Sequence, residues 1–204
     1  MRTVIISILA LFIGGSAIAQ DKTPFADRLV PRFGYVLSFL NMTDTFSVSP
    51  GQYNFTFNTI QVGTYITLAE HNDWVSVGGD AGLGVGLNFG ANNRVNWQLQ
   101  VPLMLMGRIG ANATVYNEQR LGLGLGIGAT GTYMNFQGGG FVEKDLWVQP
   151  VAAAELNIGT NSSMLTIRGT ISIGKQNGEL DYTFGGDALP VKGRLVTLGL
   201  QYGF

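Results

Sequence analysis

Four charged residues stand within stretches that otherwise alternate apolar side chains with small or polar ones: Asp80, Arg108, Glu155 and Arg168. Two carboxylates and two guanidinium groups can form hydrogen-bonded ion pairs. If they face a common interior, they either neutralise and fill it or line a polar path for ions or protons. Because an unpaired buried charge is costly, we expect Glu155 to pair with Arg168, and Asp80 with Arg108 or Arg168.

The elements that must position these charges are β-strands. In the last eleven residues, large apolar side chains occupy every second position and small or polar residues stand between them. This period of two is typical of a strand with two unlike faces. The large residues are Val196, Leu198, Leu200, Tyr202 and Phe204. A barrel wall in contact with lipid requires such an apolar face.

The same alternation occurs in seven further segments. The eight predicted strands span about 32–42, 55–69, 74–89, 94–109, 121–136, 146–158, 164–175 and 194–204. Each is long enough for a tilted strand to cross the hydrocarbon core, which takes about 9–11 residues. Counting back from the turn at 159–162 places Glu155 almost opposite Arg168. Phe55 and Phe57 break the alternation, which predicts a bulge or the start of a loop there.

Composition excludes several classes of protein. Charged residues make up 12% of the chain, against about 25% in typical soluble domains. The formal net charge of −1 gives no electrostatic footprint for a nucleic-acid partner. After the N-terminal segment, no apolar run reaches the roughly 20 residues of a membrane helix. The sequence therefore predicts an all-β protein, an eight-stranded antiparallel up-and-down transmembrane β-barrel.

The N-terminus predicts export. Residues 1–19 have the parts of a cleaved signal peptide: Arg2, an apolar run over 4–13 and the cleavage motif Ala17-Ile18-Ala19. The barrel domain then spans 20–204. If both of its ends lie in the periplasm, the three longest connections face outward from the cell, as is usual for such barrels. These connections are 42–54, 137–145 and 175–192.

An exported barrel could instead be soluble, with its apolar face around a ligand and its other face in water. A solvated face should carry Lys, Glu and Asp. Here the second face carries mostly Gly, Ser, Thr, Gln and Asn, and in the third and fifth segments it is almost pure Gly. Small residues suit the narrow interior of an eight-stranded barrel. We therefore expect the apolar face to meet lipid.

These features resemble the small eight-stranded outer-membrane barrels, the class of the OmpA transmembrane domain and OmpX. The resemblance is carried by the signal that ends at Ala19 and by the alternating series from Val196 to Phe204. It implies a location in the cell outer membrane, among its lipid and lipopolysaccharide. It also implies that the C-terminal strand is the recognition signal for the barrel-assembly machinery during biogenesis.

Three other kinds of chemistry are not expected. Gly126-Ile-Gly-Ala-Thr-Gly131 matches a dinucleotide-binding pattern, but that pattern requires a following helix, and a strand follows here. With no Cys and a single His, clustered metal ligands are not available. Barrel enzymes that modify lipid A use a His near the outer leaflet, whereas His71 falls in a predicted periplasmic turn. We expect neither a cofactor nor an enzyme.

Several functions stay open at this point. The first is a structural or interaction role in the cell envelope, with a mostly filled polar lumen. The second is a narrow passive channel for small solutes, and the third is a lipid A-modifying enzyme. Association with other envelope proteins is also open. Whether water passes the four lumen charges separates the first two functions.

Overall fold

The computed structural model describes residues 29–45, 51–71, 73–89, 95–111, 113–114, 118–138, 141–159, 163–182 and 189–203. Within 136–138, 141–145 and 180–182 it describes the backbone alone. The predicted signal peptide, residues 1–19, and the terminal Phe204 lie outside these ranges.

The strands form one antiparallel sheet that closes on itself. They are β1 Leu29–Asp44, β2 Gln52–His71, β3 Val75–Phe89, β4 Val95–Gly110, β5 Leu121–Gly138, β6 Phe141–Gly159, β7 Met164–Ser172, β8 Gln176–Tyr182 and β9 Leu189–Gly203. Neighbours in the chain pair in order, and β1 pairs with β9 to close the wall. β7 and β8 pair with successive parts of β9, so together they occupy one strand position. The wall of nine strands therefore has eight strand positions. The predicted eight-stranded up-and-down barrel is confirmed.

The distribution of side chains is inverted relative to a soluble barrel. Inside, Gln98, Asn157 and Thr166 are fully buried, whereas outside, Leu125 is 71% exposed and Ile127 is 62% exposed. Large apolar side chains are exposed in the same way on every side of the wall. In water, so extensive an apolar surface would drive association. The lipid-facing interpretation of the apolar face therefore fits, and the soluble alternative does not. No helix long and apolar enough to cross a membrane occurs in the ranges given above.

The strands are longer than predicted at one end. We call the end that carries Leu29 and Gly203 the lower end, and the opposite end the upper end. Part of each predicted long connection is paired strand. β1 continues to Asp44 and β2 begins at Gln52. In the same way, β5 continues to Gly138 and β6 begins at Phe141. Above the apolar band the outward positions are polar, as at Asn41 and Asn54, and large side chains such as Met42 and Phe55 face inward, so the alternation is reversed while the backbone ladder continues.

The bulge or loop start predicted at Phe55 and Phe57 is wrong. β1 and β2 pair without a shift through this region, and the two aromatic side chains point into the lumen. A bulge lies instead near the lower end of β2, at Leu68. Beyond it Glu70 lies opposite the buried Ser76, while His71 is exposed. The extra residue therefore turns Glu70, in place of His71, toward the lumen.

The seventh predicted strand, 164–175, is interrupted. β7 ends at Ser172, Gly174 follows with φ +88°, and the chain resumes as β8. A positive φ is easily adopted by glycine and rarely by other residues. The predicted connection 175–192 therefore contains a strand, because Gly174 lets the chain change direction without leaving the wall.

Several glycines pack against large side chains in the lumen, so replacing one of them tests how crowded the lumen is. A Cβ at Gly126 would overlap Met106 and lie 2.8 Å from the Leu105 carbonyl oxygen. We expect Gly126→Val to lower the free energy of unfolding by about 1–3 kcal/mol, the usual cost of overpacking. Urea unfolding of the refolded protein measures it. The matched control is Gly169→Val, where nothing lies within 4 Å of the added Cβ. An equal loss there would contradict the crowding argument.

Candidate functional site in the barrel lumen

The lower half of the lumen holds a buried network of charged side chains. Asp80, Arg108, Glu155 and Arg168 all face inward, and each is at most 4% exposed. Glu155 and Arg168 lie directly opposite each other on β6 and β7, and the Arg168 Nε donates to Glu155 Oε1 at 2.7 Å. Asp80 pairs with Arg168 at 2.7 Å and not with Arg108. Glu155 and Arg168 thus lie opposite each other, as counting from the turn between their strands predicts.

A glycine allows two of these charges to meet across an intervening strand. Arg108 on β4 and Glu155 on β6 both lie opposite Gly124 of β5. The Arg108 Nε nevertheless donates to Glu155 Oε2 at 3.0 Å. A Cβ at Gly124 would lie 2.8 Å from that same oxygen. The glycine-rich face of β5 is therefore required for the ion pair.

Arg32 is a fifth member that the sequence analysis missed. Its guanidinium group pairs with Asp80 and lies 3.4 Å from Glu155 Oε1, and it donates to Gln201 Oε1 at 3.3 Å. The signal was present, because Arg32 alternates with the outward-facing Phe33. It stands at the first residue of the first predicted strand, where its depth was not evident.

Tyr65 completes the network on its lower side. Its fully buried ring lies 3.6 Å from the Arg108 guanidinium carbon, in the geometry of a cation–π interaction. The Tyr65 hydroxyl is 3.2 Å from Ser76 Oγ. Stacking and hydrogen bonding together hold the Arg108 side chain toward Glu155.

The upper half of the lumen is filled by apolar side chains. We call this group the upper-lumen cluster; its buried members are Leu40, Met42, Met134, Trp147, Leu189 and Val191. The largest is Trp147, which is 1% exposed. Its indole ring lies over Gly178 of β8 and Gly193 of β9, where any Cβ would overlap it. Two glycines therefore make the space that one tryptophan fills.

The wall has a break beside Trp147. β6 pairs with β7 as far as Val151, and with β8 only at Phe141 and Val142. Between these points the described ladders contain no pair, and a connection across the break is the Ile173 amide donating to the Pro150 carbonyl oxygen at 2.7 Å. Proline has no amide hydrogen to donate, so it suits an unpaired strand edge. We call this stretch the wall break.

Two spaces lie along the lumen. Between the network and the upper-lumen cluster lies a cavity of about 20 Å³, which we call the mid-lumen cavity. This is room for about one water molecule. A wider space of about 500 Å³ opens at the upper mouth, next to Val191 of the upper-lumen cluster. The space between the two halves of the lumen is thus far smaller than the space at the upper mouth.

The other candidate residues lie apart from this site. His71 is exposed at the lower end of β2. The stretch from Gly126 to Gly131 lies within β5 and continues as a strand. Among the residues that the structure describes, no group of three or more His, Asp or Glu could hold a metal ion. The terminal series faces outward and is 37–52% exposed at Val196, Leu198, Leu200 and Tyr202.

No known family profile matches the sequence, and no curated protein matches it. Solved structures do match. AlkL, determined by solid-state NMR in DMPC lipid bilayers, is 14% identical with a TM-score of 0.50, over 91% of this chain and 94% of AlkL. OprG from Pseudomonas aeruginosa is 13% identical with a TM-score of 0.50, over 86% and 95%. Ail from Yersinia pestis is 13% identical with a TM-score of 0.48, over 86% and 97%.

AlkL and OprG are both outer membrane proteins, and each match covers nearly the whole of the known protein. The chain has the fold of a small outer-membrane β-barrel. At these identities the likeness concerns the fold, which hosts different functions in different proteins. The function of this barrel must therefore be argued from its own lumen and surface.

Proposed function

We propose that this barrel is an integral protein of the outer membrane with a structural or interaction role in the cell envelope. The observation that carries the proposal is a lumen closed at two levels, by the charged network and by the upper-lumen cluster. A protein that only anchors loops or contacts partners needs a stable wall and no passage. The lumen side chains then serve to hold the wall together.

The outer surface supports the membrane location. The exposed apolar band carries aromatic side chains near both of its edges. Phe33, Tyr35 and Tyr202 lie toward the lower end, and Phe89 and Trp97 toward the upper end. Aromatic girdles of this kind are typical of the two interfaces of a membrane. On this proposal, residues 1–19 direct export and are cleaved, and the surrounding partners are lipid and lipopolysaccharide.

The C-terminal strand supports a route of assembly. Val196, Leu198, Leu200 and Tyr202 form one continuous outward face on β9. We propose that this face, completed by Phe204, is read by the barrel-assembly machinery. Contact with other envelope proteins would use the loops at the upper end.

The proposed role is tested by electrical conductance in planar lipid bilayers. We expect the refolded wild-type barrel to give no ion conductance steps, because both halves of the lumen are filled. Glu155→Ala and Arg168→Ala are expected to introduce small conductances by removing part of the charged network. Glu179→Ala, at an exposed position, is the control and should behave like the wild type. Steady conductance of the wild type would refute the closed-lumen proposal.

A second candidate is a narrow passive channel for small, mostly apolar solutes. The wall break favours it, because the break lies beside the apolar upper-lumen cluster and its rim carries the exposed Leu146 and Val148. The charged network would still close the route below. Uptake of an apolar solute into vesicles containing the barrel, without ion conductance, would favour this candidate over the first.

We propose no enzymatic activity for the barrel. His71 is the last residue of β2, at the lower end of the barrel, and its side chain is exposed. A hydrolase or acyltransferase that works on lipid A needs its catalytic groups near the upper end. Incubation of the refolded barrel with lipid A, followed by mass spectrometry, should show unchanged acyl chains.

A further inference from the structure

Basic side chains on the outer surface are grouped on one side of the wall. Of the Lys and Arg residues whose side chains the structure describes, three belong to the charged network in the lumen, and Arg120 lies at the lower end beside Gly159. The remaining three are exposed near the upper end. We call them the basic patch; they are Lys175, Lys192 and Arg194.

The strand register brings the members of the basic patch together. Lys192 and Arg194 stand on either side of the buried Gly193 on β9, so both point outward. β8 begins with Gln176 opposite Gly193, and the same register continued by one residue places Lys175 beside Arg194. Two neighbouring segments of the wall thus present three cationic groups on one surface.

The basic patch lies at the upper edge of the apolar band. On β9 the outward series continues from Val196 directly to Arg194 and then to Lys192. On β1 the change falls in the same row, because Asn41 lies opposite Arg194 and follows the outward-facing Phe39. The edge of such a band is the level of the lipid headgroups, where long basic side chains place their charges.

Other parts of the wall stay apolar up to the upper end. The last outward side chains of β3 and β4 are Phe89 and Val95, which are 74% and 56% exposed. A rim of solvated charge would surround the whole mouth of the barrel. Charges confined to β9 and the start of β8 instead suit a ligand that approaches from one side, in the plane of the membrane.

The described neighbours do not neutralise the basic patch. No ion pair joins its three side chains to a described residue. Glu179 is an exposed acid on β8, but it lies opposite Pro190, two residues beyond Lys192. Asn177 lies opposite Lys192 and adds an exposed amide. Guanidinium, ammonium and amide groups are the donors that bind phosphate.

The level of the basic patch selects the source of the phosphate. On the proposed function, on which this assignment rests, the upper end faces outward from the cell, where the outer leaflet contains lipopolysaccharide. We propose that the basic patch binds the phosphate groups of lipid A, while the acyl chains of the same molecule lie on the apolar band below, against Val196 and Phe39.

Binding of lipid A to the refolded barrel in detergent, measured by microscale thermophoresis, tests the basic patch. We expect Arg194→Gln to raise the Kd about fivefold, the factor that one basic residue contributes near an anionic membrane surface. The triple variant Lys175→Gln, Lys192→Gln, Arg194→Gln should raise it roughly a hundredfold. Arg194→Lys keeps the charge and should bind nearly as tightly as the wild type.

Two controls make the test specific. Arg120→Gln also removes one exposed guanidinium group, but at the lower end, and should leave the Kd unchanged. An equal rise there would overturn the site in favour of attraction by net charge alone. Lipid A stripped of its phosphates should bind far more weakly than intact lipid A. Phosphatidylglycerol that binds as tightly as lipid A would overturn the choice of lipid A.

Membrane insertion and conductance separate the basic patch from the proposed function. A barrel that inserts into vesicles and stays closed, yet binds lipid A no better than the dephosphorylated form, would refute the basic patch alone. A barrel that does not insert would refute the proposed membrane location, and the lipid A site with it.

Discussion

Replacing Glu155 with alanine is expected to lower the free energy of unfolding of the barrel by about 3–5 kcal/mol. Its carboxylate accepts from Arg108 and Arg168 and lies near Arg32. Without it, Arg108 loses its carboxylate partner, and Arg32 and Arg168 share the single carboxylate of Asp80. The cost arises mainly from the charges left without a partner, and less from the loss of the attraction itself. Urea unfolding in detergent or lipid, followed by tryptophan fluorescence, measures it.

Two comparisons separate this cause from a general effect of mutation. Glu179→Ala removes an exposed carboxylate on β8 and should leave the stability nearly unchanged, since exposed ion pairs contribute little. The double variant Glu155→Gln, Arg168→Met should be more stable than Glu155→Ala. It removes the Arg168 guanidinium together with the Glu155 carboxylate, so fewer buried positive charges remain without a partner. If Glu155→Ala were as stable as the wild type, the network would not contribute to holding the wall.

Trp147→Ala is expected to destabilise the barrel by about 3–5 kcal/mol, the usual cost of truncating a buried tryptophan. The indole is the largest buried side chain in the described part of the chain, and it rests on Gly178 and Gly193. Neither glycine has a side chain that can move into the space, so the cavity cannot collapse. Chemical unfolding of the variant measures the loss.

Trp97→Ala is the matched control for this prediction. Trp97 is also on a strand, but it faces outward and is 37% exposed. Lipid or detergent can fill the space that it leaves, so the loss should be much smaller. Trp147→Phe should fall between the wild type and Trp147→Ala, because a smaller ring fills part of the slot. A loss for Trp97→Ala that equals the loss for Trp147→Ala would contradict the filling argument.

The fold was predictable because the alternation of side chains is a direct consequence of strand geometry. The same alternation predicted which charges face the lumen, and counting from one turn placed Glu155 opposite Arg168. Pairing between strands that are distant in the chain was less determined. By sequence, Asp80 could pair with Arg108 or Arg168. In the structure Asp80 lies opposite Met104, four residues along β4 from Arg108, and it pairs across the lumen with Arg168.

Other features gave no signal in one sequence. β8 alternates polar Asn177, Glu179 and Asp181 with Gly178, Leu180 and Tyr182, but it lacks the series of large apolar residues that identifies the lipid-facing strands, although its backbone pairs with β9. Trp147 has the parity of a lumen residue but the size of a membrane-facing one. Only the contact with Gly178 and Gly193, far along the chain, shows where an indole fits. Such contacts depend on which strands become neighbours, and a local pattern does not record that.

The closure of β1 on β9 has a consequence for how the barrel forms. Every other ladder joins strands that are near in the chain, whereas this one places Arg32 opposite Gly203. Bringing such distant segments together costs more chain entropy than forming a local hairpin. The wall therefore cannot close until the last strand has been synthesised. The strand that we propose as the assembly signal is thus also the strand that must be present before the barrel can close.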